Sequence, residues 1–277
     1  MIGVFLCQDL FMAFSTVFLL AAAAATAPHD NMNATLWYQT SAEFRANSLQ
    51  TYKMASLTIK EALTDRNWTA LPTQTSDFQQ LPPAIIVDID ETILDNSPAA
   101  AQAILEQDTG FNSKRWDNWV AAAKAKAVPG AVDFLNLAGK NGVTVLYISN
   151  RECAPRANSK DVCPQKADTL KNLQATGITQ VDASQLWLKS EQQDWTSEKE
   201  SRRLKAAQQY RVIMLVGDDF GDFLPQVKSK ITPAKRFELV DRYQQYWGSR
   251  WFMLTNPTYG SWETILQQPK QQYLQGF

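Results

Sequence analysis

Histidine is almost missing from this chain of 277 residues, which contains only His29. That residue directly follows an apolar N-terminal segment. Histidine nucleophiles, Ser-His-Asp relays and histidine-ligated zinc sites are therefore excluded. A Walker A loop and a GxSxG sequence are missing as well. Any catalysis must rest on carboxylates, lysines, serines and a metal ion bound by oxygen.

An excess of charge of either sign is also missing, because 27 Lys and Arg residues stand against 28 Asp and Glu residues. No block of basic residues could track a phosphodiester backbone, which argues against polymeric nucleic acid as a partner and leaves small anions open. A hydrophobic content of 45% with 20% charged residues is typical of a globular chain with one sizeable core. We therefore expect one domain with extensions.

Cysteine is scarce, with only Cys7, Cys153 and Cys163 in the chain. Residues 10–27 are apolar with small residues at 23–25, which predicts a cleaved secretion signal over residues 1–25 and leaves an uncleaved anchor as the alternative. Phe5 and Leu6 precede Cys7 where a lipoprotein signal needs small residues, so lipidation is disfavoured. This segment predicts a periplasmic or secreted protein, with outer-membrane association through the N-terminus left open.

Removal of the signal would leave Cys153 and Cys163 as an even pair within one loop. In an oxidising compartment we expect them to form a disulfide, with two free thiols as the alternative. Closing so short a loop would contribute about 2 to 3 kcal/mol at most.

Four short apolar runs, at 85–89, 143–148, 211–216 and 250–254, end in polar residues. Such runs are typical of parallel strands covered on both faces, and the carboxyl ends of parallel strands meet at one edge of a sheet. The sequence therefore predicts an α/β fold with polar groups collected at one edge. These groups are Asp88, Asp90, Thr92 and Asp95, then Ser149, Asn150 and Arg151, then Gly217, Asp218, Asp219 and Asp222, then Thr255, Asn256 and Pro257.

Helices are predicted between these runs from the spacing of apolar residues and from capping signals. One long helix is expected over 33–65, and Ser97 with Pro98 begins another. Further helices are expected over 116–127, from 132 to about 137, and from 164 to 177. Ser197 and Glu200 form a capping-box pattern that puts Lys199 in the first turn of a helix, where a cation and the helix dipole together suit a phosphate.

Asp88, Asp90 and Asp218 would form an oxygen-rich pocket that suits Mg²⁺. The start of a calcium loop of the EF-hand type is the alternative interpretation of the spacing from Asp88. That loop needs Gly at its sixth and Glu at its twelfth position, where this chain has Ile93 and Ala99. The calcium loop is therefore rejected, and a magnesium site is predicted.

The order DIDET, ISN, a lysine on a helix and GDDFGD resembles the four motifs of the haloacid dehalogenase superfamily. The longer strings TLWYQTSAEFRA, VDIDETILDNSP, RWDNWV, KAVPGAVDFLN, YISNR, VGDDFGDF and NPTYGSWE resemble class C acid phosphatases, which are secreted or lipoprotein enzymes of bacteria. The resemblance implies a Rossmann-like fold with a central, mostly parallel sheet flanked by helices. The phosphatase domain would cover 33–265, with a small helical extension over 33–65 and a tail over 266–277.

The resemblance also implies a role for each matching position. Asp88 would be the nucleophile that forms an aspartyl-phosphate, and Asp90 the acid and base. Lys199 would offset charge during transfer, with Lys189 as the alternative lysine. Ser149, Asn150 and Thr92 would bind the phosphoryl group. The metal would be held by Asp88, Asp218 and the backbone carbonyl of Asp90, with Asp219 and Asp222 orienting its waters.

Aromatic residues in segments that border the phosphate site indicate the substrate class, and Trp116 and Tyr259 are the candidates for stacking on a leaving group. The implied function is a secreted, Mg²⁺-dependent acid phosphatase acting on phosphate monoesters such as nucleoside monophosphates and aryl phosphates. A phosphotransferase of the same fold and a catalytically silent nucleotide-binding or storage protein are the alternatives. A homodimer is left open.

Overall fold

The structure is a computed structural model that describes residues 29–108, 110–157 and 159–277. The predicted signal peptide and Cys7 lie outside these residues. Seven strands are present in the described part: β1 (Pro83–Val87), β2 (Leu94–Asp95), β3 (Lys126–Ala127), β4 (Thr144–Glu152), β5 (Leu186–Lys189), β6 (Arg211–Gly217) and β7 (Trp251–Met253). The helices are α1 (Met32–Thr40), α2 (Ala42–Thr64), α3 (Ser97–Leu105), α4 (Ser113–Ala122), α5 (Ala131–Lys140), α6 (Pro164–Ala175), α7 (Glu200–Gln209), α8 (Pro233–Arg242) and α9 (Ser261–Thr264).

Five strands form the central sheet in the order β5-β4-β1-β6-β7, and every neighbouring pair is parallel. The predicted α/β fold with a parallel sheet is confirmed. All four predicted strands are present. The fifth, β5, was not predicted, because its four residues end in Lys189 and this short run was interpreted only as a place for a candidate lysine. A separate antiparallel pair joins β2 to β3.

The two faces of the sheet bury alternate residues of each strand, as the two-residue period of a strand requires. Ile85 and Val87 of β1 face the core that α2 and α5 cover, whereas Ile86 packs with Leu146 and Leu215 in a second core on the other face. Because apolar side chains project from both faces of the sheet, the sequences of the central strands are continuous hydrophobic runs. The polar groups are thereby confined to the strand ends.

The N-terminal helical segment is two helices, so the prediction of one helix over 33–65 is wrong at its middle. Ser41 has an extended backbone, with φ −80° and ψ 138°, and its side chain accepts a hydrogen bond from the Phe44 amide at 3.0 Å. This serine ends α1 and caps α2. The hydroxyl of Tyr52 on α2 donates to the Thr92 carbonyl at 2.5 Å, which ties the segment to the loop after β1.

Several other helix ends differ from those predicted. Helix α3 has Asn96 rather than Ser97 at its N-cap, and α4 covers Ser113–Ala122 rather than 116–127, because Ala123 adopts a positive φ of 49° that stops the helix. Helix α7 begins at Glu200, so Lys199 is the N-cap residue and the predicted capping box is not formed. The last difference carries the lysine side chain off the helix and toward the sheet edge.

Cys153 and Cys163 are joined by a disulfide, so the alternative of two free thiols is wrong for this structure. The bridge links the residue after β4 to the residue before α6. Among the helices of residues 29–277 that the structure describes, none is long and apolar enough to cross a membrane.

Candidate active site

The carboxyl edge of the sheet collects the polar residues that follow the strands. Asp88 directly follows β1, and its amide donates to the Val216 carbonyl at 2.9 Å, which extends the pairing with β6 by one residue. Asp218 directly follows β6. This register sets the two carboxylates side by side, as expected for ligand-binding groups at the carboxyl edge of an open α/β sheet.

Three carboxylates converge there. Asp88, Asp218 and Asp222 each offer an oxygen, and these oxygens all lie within 4.8 Å of one another. Burial raises the pKa of Asp88 to about 6 against the opposing pull of Lys199, with Asp222 and Asp90 adding to the rise. Burial and the neighbouring Asp88 and Asp222 carboxylates also raise the pKa of Asp218 well above its usual range. Since like charges this close repel, the cluster favours a bound cation.

Lys199 is the cation that the protein itself supplies. Its ammonium lies 2.5 Å from Asp88 Oδ1 and 2.6 Å from Asp222 Oδ1. Burial would lower the pKa of Lys199, but the Asp222 and Asp88 carboxylates outweigh it and raise the pKa above its usual value. Lys189 ends β5 and pairs with Glu152 at 3.2 Å instead. Of the two candidate lysines, the structure brings Lys199 to Asp88.

Two hydrogen bonds fix the Asp218 carboxylate. Thr92 Oγ1 donates to Asp218 Oδ1 at 2.7 Å, and Asn256 Nδ2 donates to Asp218 Oδ2 at 2.9 Å. Thr92, predicted to bind phosphate, therefore has its hydroxyl on a carboxylate of the cluster. Asn256 was not among the predicted site residues, although its position at the end of the fourth apolar run was a usable signal. The hydrogen bonds from Thr92 and Asn256 together fix the orientation of the Asp218 carboxylate within the acidic cluster.

Asp219 and Asp222, in the turn after β6, face different directions. Asp222 faces the cluster across Gly217, where a Cβ atom would come within 2.3 Å of Asp222 Oδ2 and glycine is therefore required. Asp219 faces away, and its carboxylate accepts hydrogen bonds from Ser261 and Gly221 that outweigh burial and lower the pKa of Asp219. Asp219 thus lies outside the three-carboxylate cluster, and its predicted role beside a metal stays a prediction.

Asp90, two residues after Asp88, is held by a buried arginine. Arg151 Nη2 lies 2.7 Å from Asp90 Oδ1, and Arg151 Nε lies 3.2 Å from Oδ2, so the guanidinium grips the carboxylate with two nitrogens. Asn96 Nδ2 donates to the same Oδ1 at 2.9 Å. Arg151 and Asn96 were not predicted as site residues. The signal for Arg151 was its place in the polar end of the second strand.

Ser149 and Asn150 form the polar end of β4. Ser149 is fully buried, and its hydroxyl oxygen accepts a hydrogen bond from the Arg151 amide at 3.0 Å. Asn150 is exposed, and its side chain donates to the Ser197 carbonyl at 3.0 Å and accepts from Arg202 at 2.8 Å. The hydroxyl proton of Ser149 remains available for a ligand, whereas the amide of Asn150 is already partnered.

The two predicted stacking residues lie beside neighbours of the acidic cluster, Trp116 near Arg151 and Tyr259 against Glu91. The guanidinium of Arg151, which binds Asp90, lies 5.9 Å from the centre of the Trp116 ring. The half-exposed Tyr259 contacts the buried carboxyl group of Glu91 through its hydroxyl. Burial and the Asp90 and Asp218 carboxylates raise the pKa of Glu91 well above its usual range. Glu91 was missed because nothing in its spacing distinguishes it from a surface residue.

The family described as haloacid dehalogenase superfamily, subfamily IIIB (acid phosphatase), matches residues 16–262 of the chain. This protein belongs to that acid phosphatase family. The structure of the class C acid phosphatase from Bacillus anthracis has 30% sequence identity to the chain and a TM-score of 0.73, with 89% of this chain and 97% of that chain covered. The structure of the same Bacillus anthracis enzyme with tungstate bound has 29% identity, the same TM-score and the same coverage.

Membership makes this protein a phosphomonoester hydrolase of the class C type, and the parallel sheet agrees with the fold of the matching structures. Its acidic cluster also fits a divalent cation. The three converging ligands are carboxylates, Asp218 is pre-oriented by two hydrogen bonds, and hard oxygen donors of this kind suit Mg²⁺. The phosphatase therefore has the donor set that a metal-dependent member of the superfamily needs.

Proposed function

We propose that this phosphatase is a secreted, Mg²⁺-dependent acid phosphatase that hydrolyses nucleoside monophosphates and aryl phosphates through an aspartyl-phosphate on Asp88. One observation carries the proposal: the Asp88 carboxylate lies between the Lys199 ammonium and the Asp218 carboxylate at the carboxyl edge of the sheet. A carboxylate in this position can attack phosphorus only if a cation offsets the repulsion between two anions.

In the first step, an oxygen of Asp88 attacks the phosphorus atom and the bond from phosphorus to the ester oxygen breaks. Asp90, in its protonated form, gives a proton to the departing oxygen, so the alcohol leaves neutral. In the second step, Asp90 takes a proton from water, the water oxygen attacks phosphorus, and the bond to Asp88 breaks. The enzyme returns to its starting state with inorganic phosphate as the product.

The protein's donors surround the group in transfer. The ammonium of Lys199 is anchored on Asp88 and Asp222, so it lies where negative charge develops on the phosphoryl oxygens. The hydroxyl of Ser149 is buried and free to donate, and it would bind one of those oxygens. Arg151 holds Asp90 close to the nucleophile and limits the range of positions from which it can transfer a proton.

Asp88, Asp218 and Asp222, together with the backbone carbonyl of Asp90, are the residues that would hold Mg²⁺. When bound, the ion neutralises carboxylate charge and polarises a phosphoryl oxygen. The tungstate in the Bacillus anthracis structure supports an oxyanion site in this fold, because tungstate is a tetrahedral dianion like phosphate.

The preference for ring-bearing leaving groups rests on Trp116 and Tyr259. Trp116 lies beside Arg151, the partner of Asp90, and the hydroxyl of Tyr259 contacts Glu91. An aromatic ring can stack on any nucleobase or phenyl group with a gain of about 1 to 3 kcal/mol. Replacing either residue with Ala should raise KM for nucleoside monophosphates and p-nitrophenyl phosphate but not for a small alkyl phosphate. Phe237, exposed on α8, provides the matched control.

Secretion is supported by the disulfide between Cys153 and Cys163, because such bonds persist in oxidising compartments. Fractionation of a cell that expresses the full chain, followed by sizing of the mature N-terminus, tests this part of the proposal. Full-length protein in the cytoplasm would contradict it.

The direct test of the activity is a panel of phosphate esters assayed with Mg²⁺ and with a chelator. We expect phosphate release from nucleoside monophosphates and p-nitrophenyl phosphate only when Mg²⁺ is present. Adding an alcohol acceptor and measuring transferred phosphate separates hydrolysis from phosphotransfer. Nucleotide binding without turnover across acidic and neutral pH would instead indicate a silent binding protein.

A further inference from the structure

Helix α7 delivers three buried cations to the active site from one short stretch of sequence: Lys199, Arg202 and Arg203. Lys199 contacts the carboxylates of Asp88 and Asp222. Arg203 Nη1 donates to the carbonyls of Gly221 and Asp222 at 3.0 and 2.9 Å, which holds the turn after β6. Arg202 extends to a different part of the site.

Arg202 joins three segments of chain with four hydrogen bonds. Its Nη1 donates to the carbonyls of Ser149 and Trp187 at 2.6 and 3.3 Å. Its Nη2 donates to Asn150 Oδ1 and to the Thr196 carbonyl, each at 2.8 Å. The guanidinium therefore connects the end of β4, strand β5 and the loop that leads to Lys199.

The charge of Arg202 is left without a partner. Within the described part of the chain, no carboxylate lies within ion-pair distance of this side chain, and its Nε has no hydrogen-bond acceptor. Burial lowers the pKa of Arg202 to about 10, so the group is still charged at neutral pH. Lys199 differs in this respect, because Asp88 and Asp222 already offset its charge.

A buried cation that is bonded only to neutral oxygens keeps its net positive charge, which attracts any anion that binds nearby. The bonds of Arg202 lead directly to Ser149, whose hydroxyl would bind a phosphoryl oxygen under the proposed function, and to its neighbour Asn150. A purely structural role would account for the hydrogen bonds but would not use the net charge.

We propose that Arg202 is a positioning residue of the phosphate site, which fixes the Ser149–Asn150 segment of β4 and attracts the phosphoryl dianion through its unpaired charge. The proposal rests on the proposed function, since the dianion is the phosphoryl group of the substrate or product. It assigns to α7 a second cation besides Lys199.

Arg211 provides a matched control. It is 1% exposed, its Nη1 donates only to the carbonyls of Ala62, Asp65 and Trp68, and its Nε also has no partner among the described residues. Its environment therefore repeats that of Arg202. It begins β6, however, at the opposite edge of the sheet from the carboxylates, so its charge is remote from any bound phosphate.

The experiment compares Arg202→Met and Arg202→Lys with Arg211→Met and Arg211→Lys in the Mg²⁺-loaded enzyme. Binding of inorganic phosphate is measured by calorimetry, and thermal unfolding and the kcat and KM for p-nitrophenyl phosphate are measured alongside. We expect Arg202→Met to weaken phosphate binding about tenfold or more, the effect of losing charged hydrogen bonds. Arg202→Lys should recover part of the affinity, since it keeps the charge but cannot reach all three segments.

The Arg211 variants should lower the unfolding temperature and leave phosphate affinity within about twofold of the parent. If Arg202→Met does not fold, the two lysine variants decide the question in the same way. Parent-like phosphate affinity in a folded Arg202 variant, or an equal loss in the Arg211 variants, would overturn the proposal. A parent enzyme that binds phosphate but hydrolyses no ester would defeat the proposed function alone, because the affinity comparison needs no turnover.

Discussion

A charged residue lies at each end of strand β6: Arg211 at the amino end and Asp218 directly after the carboxyl end. The two residues differ in the groups that surround their charge. At the amino end, Arg211 donates to three backbone carbonyls, which contribute no charge and move little. At the carboxyl end, Asp218 lies among other carboxylates that raise its pKa. The first end is satisfied by backbone acceptors, whereas the second places like charges together and favours a bound cation. Charges of the same sign placed side by side, rather than buried charge as such, distinguish the functional end of this strand from the structural end.

The largest effect should come from the nucleophile. Asp88→Asn keeps the shape of the side chain but cannot form an acyl phosphate, so hydrolysis of p-nitrophenyl phosphate should fall by about a thousandfold or more. Asp65→Asn, the same change at the amino edge, should leave kcat unchanged. Substantial steady-state turnover by Asp88→Asn would show that the carboxyl edge of the sheet does not supply the nucleophile.

Lys199 should have the next largest effect. Lys199→Met leaves Asp88 and Asp222 without their ammonium, and we expect kcat/KM to fall by about a hundredfold, the usual cost of losing one charged donor in transfer. Lys189→Met, which removes only the pair with Glu152, should act within about twofold of the parent. A larger loss of kcat/KM in Lys189→Met than in Lys199→Met would show that the catalytic lysine is Lys189 of β5.

The repulsion at the carboxyl edge should also appear in stability. Because the folded pKa of Asp88 is raised to about 6, the folded state binds more protons than the unfolded state between about pH 4 and about pH 6, and stability falls as the pH rises through that window. In metal-free protein near neutral pH, Asp88→Asn should therefore be more stable by about 2 kcal/mol, or about 4 to 8 °C in Tm. Scanning calorimetry across pH measures this difference.

The parent protein should regain stability when Mg²⁺ is added, because the ion offsets the same repulsion. Asp88→Asn should gain less, since it has lost one ligand. Asp65→Asn should follow the parent at every pH. A metal-free parent whose Tm relative to Asp88→Asn does not change with pH would show that the carboxylates do not oppose folding.

Glu91 should give the smallest effect. Its carboxyl is buried, and burial with the Asp90 and Asp218 carboxylates raises its pKa, which favours the protonated form. Glu91→Gln keeps the shape of that form, and its amide can hydrogen-bond to the hydroxyl of Tyr259. We expect less than about 1 kcal/mol of destabilisation and kcat/KM within about threefold of the parent. A large loss of activity at neutral pH would show that Glu91 acts as a charged group and belongs with the cluster.

The sequence was sufficient for the parts of the fold that depend on local pattern. Apolar runs predicted four of the five parallel strands, and the polar residues that follow these runs include Asp88 and Asp218, because the buried part of a parallel strand is apolar. Ser41 interrupts the predicted long helix because its side chain caps α2. The apolar spacing continues across this residue and gave no sign of the break.

Long-range pairing could not be predicted in the same way. Arg151 grips Asp90 across the edge of the sheet, and Asn256 orients Asp218 from the end of another strand. Each contact depends on the conformation of a long side chain and of the loop that carries it. The spacing of residues along the sequence does not encode either conformation. The sequence favoured Lys199 over Lys189 as the site lysine, and the structure places the ammonium of Lys199, not that of Lys189, beside Asp88.

The location of the phosphoryl group during turnover tests the central claim most directly. Asp90→Asn should slow the attack of water, while p-nitrophenolate can leave without a proton, so rapid quenching with p-nitrophenyl phosphate should trap the intermediate. Mass spectrometry of the quenched enzyme should find the phosphoryl group on the peptide that contains Asp88. A phosphoryl group on another residue, or steady hydrolysis with Asp88 unmodified throughout, would contradict the account.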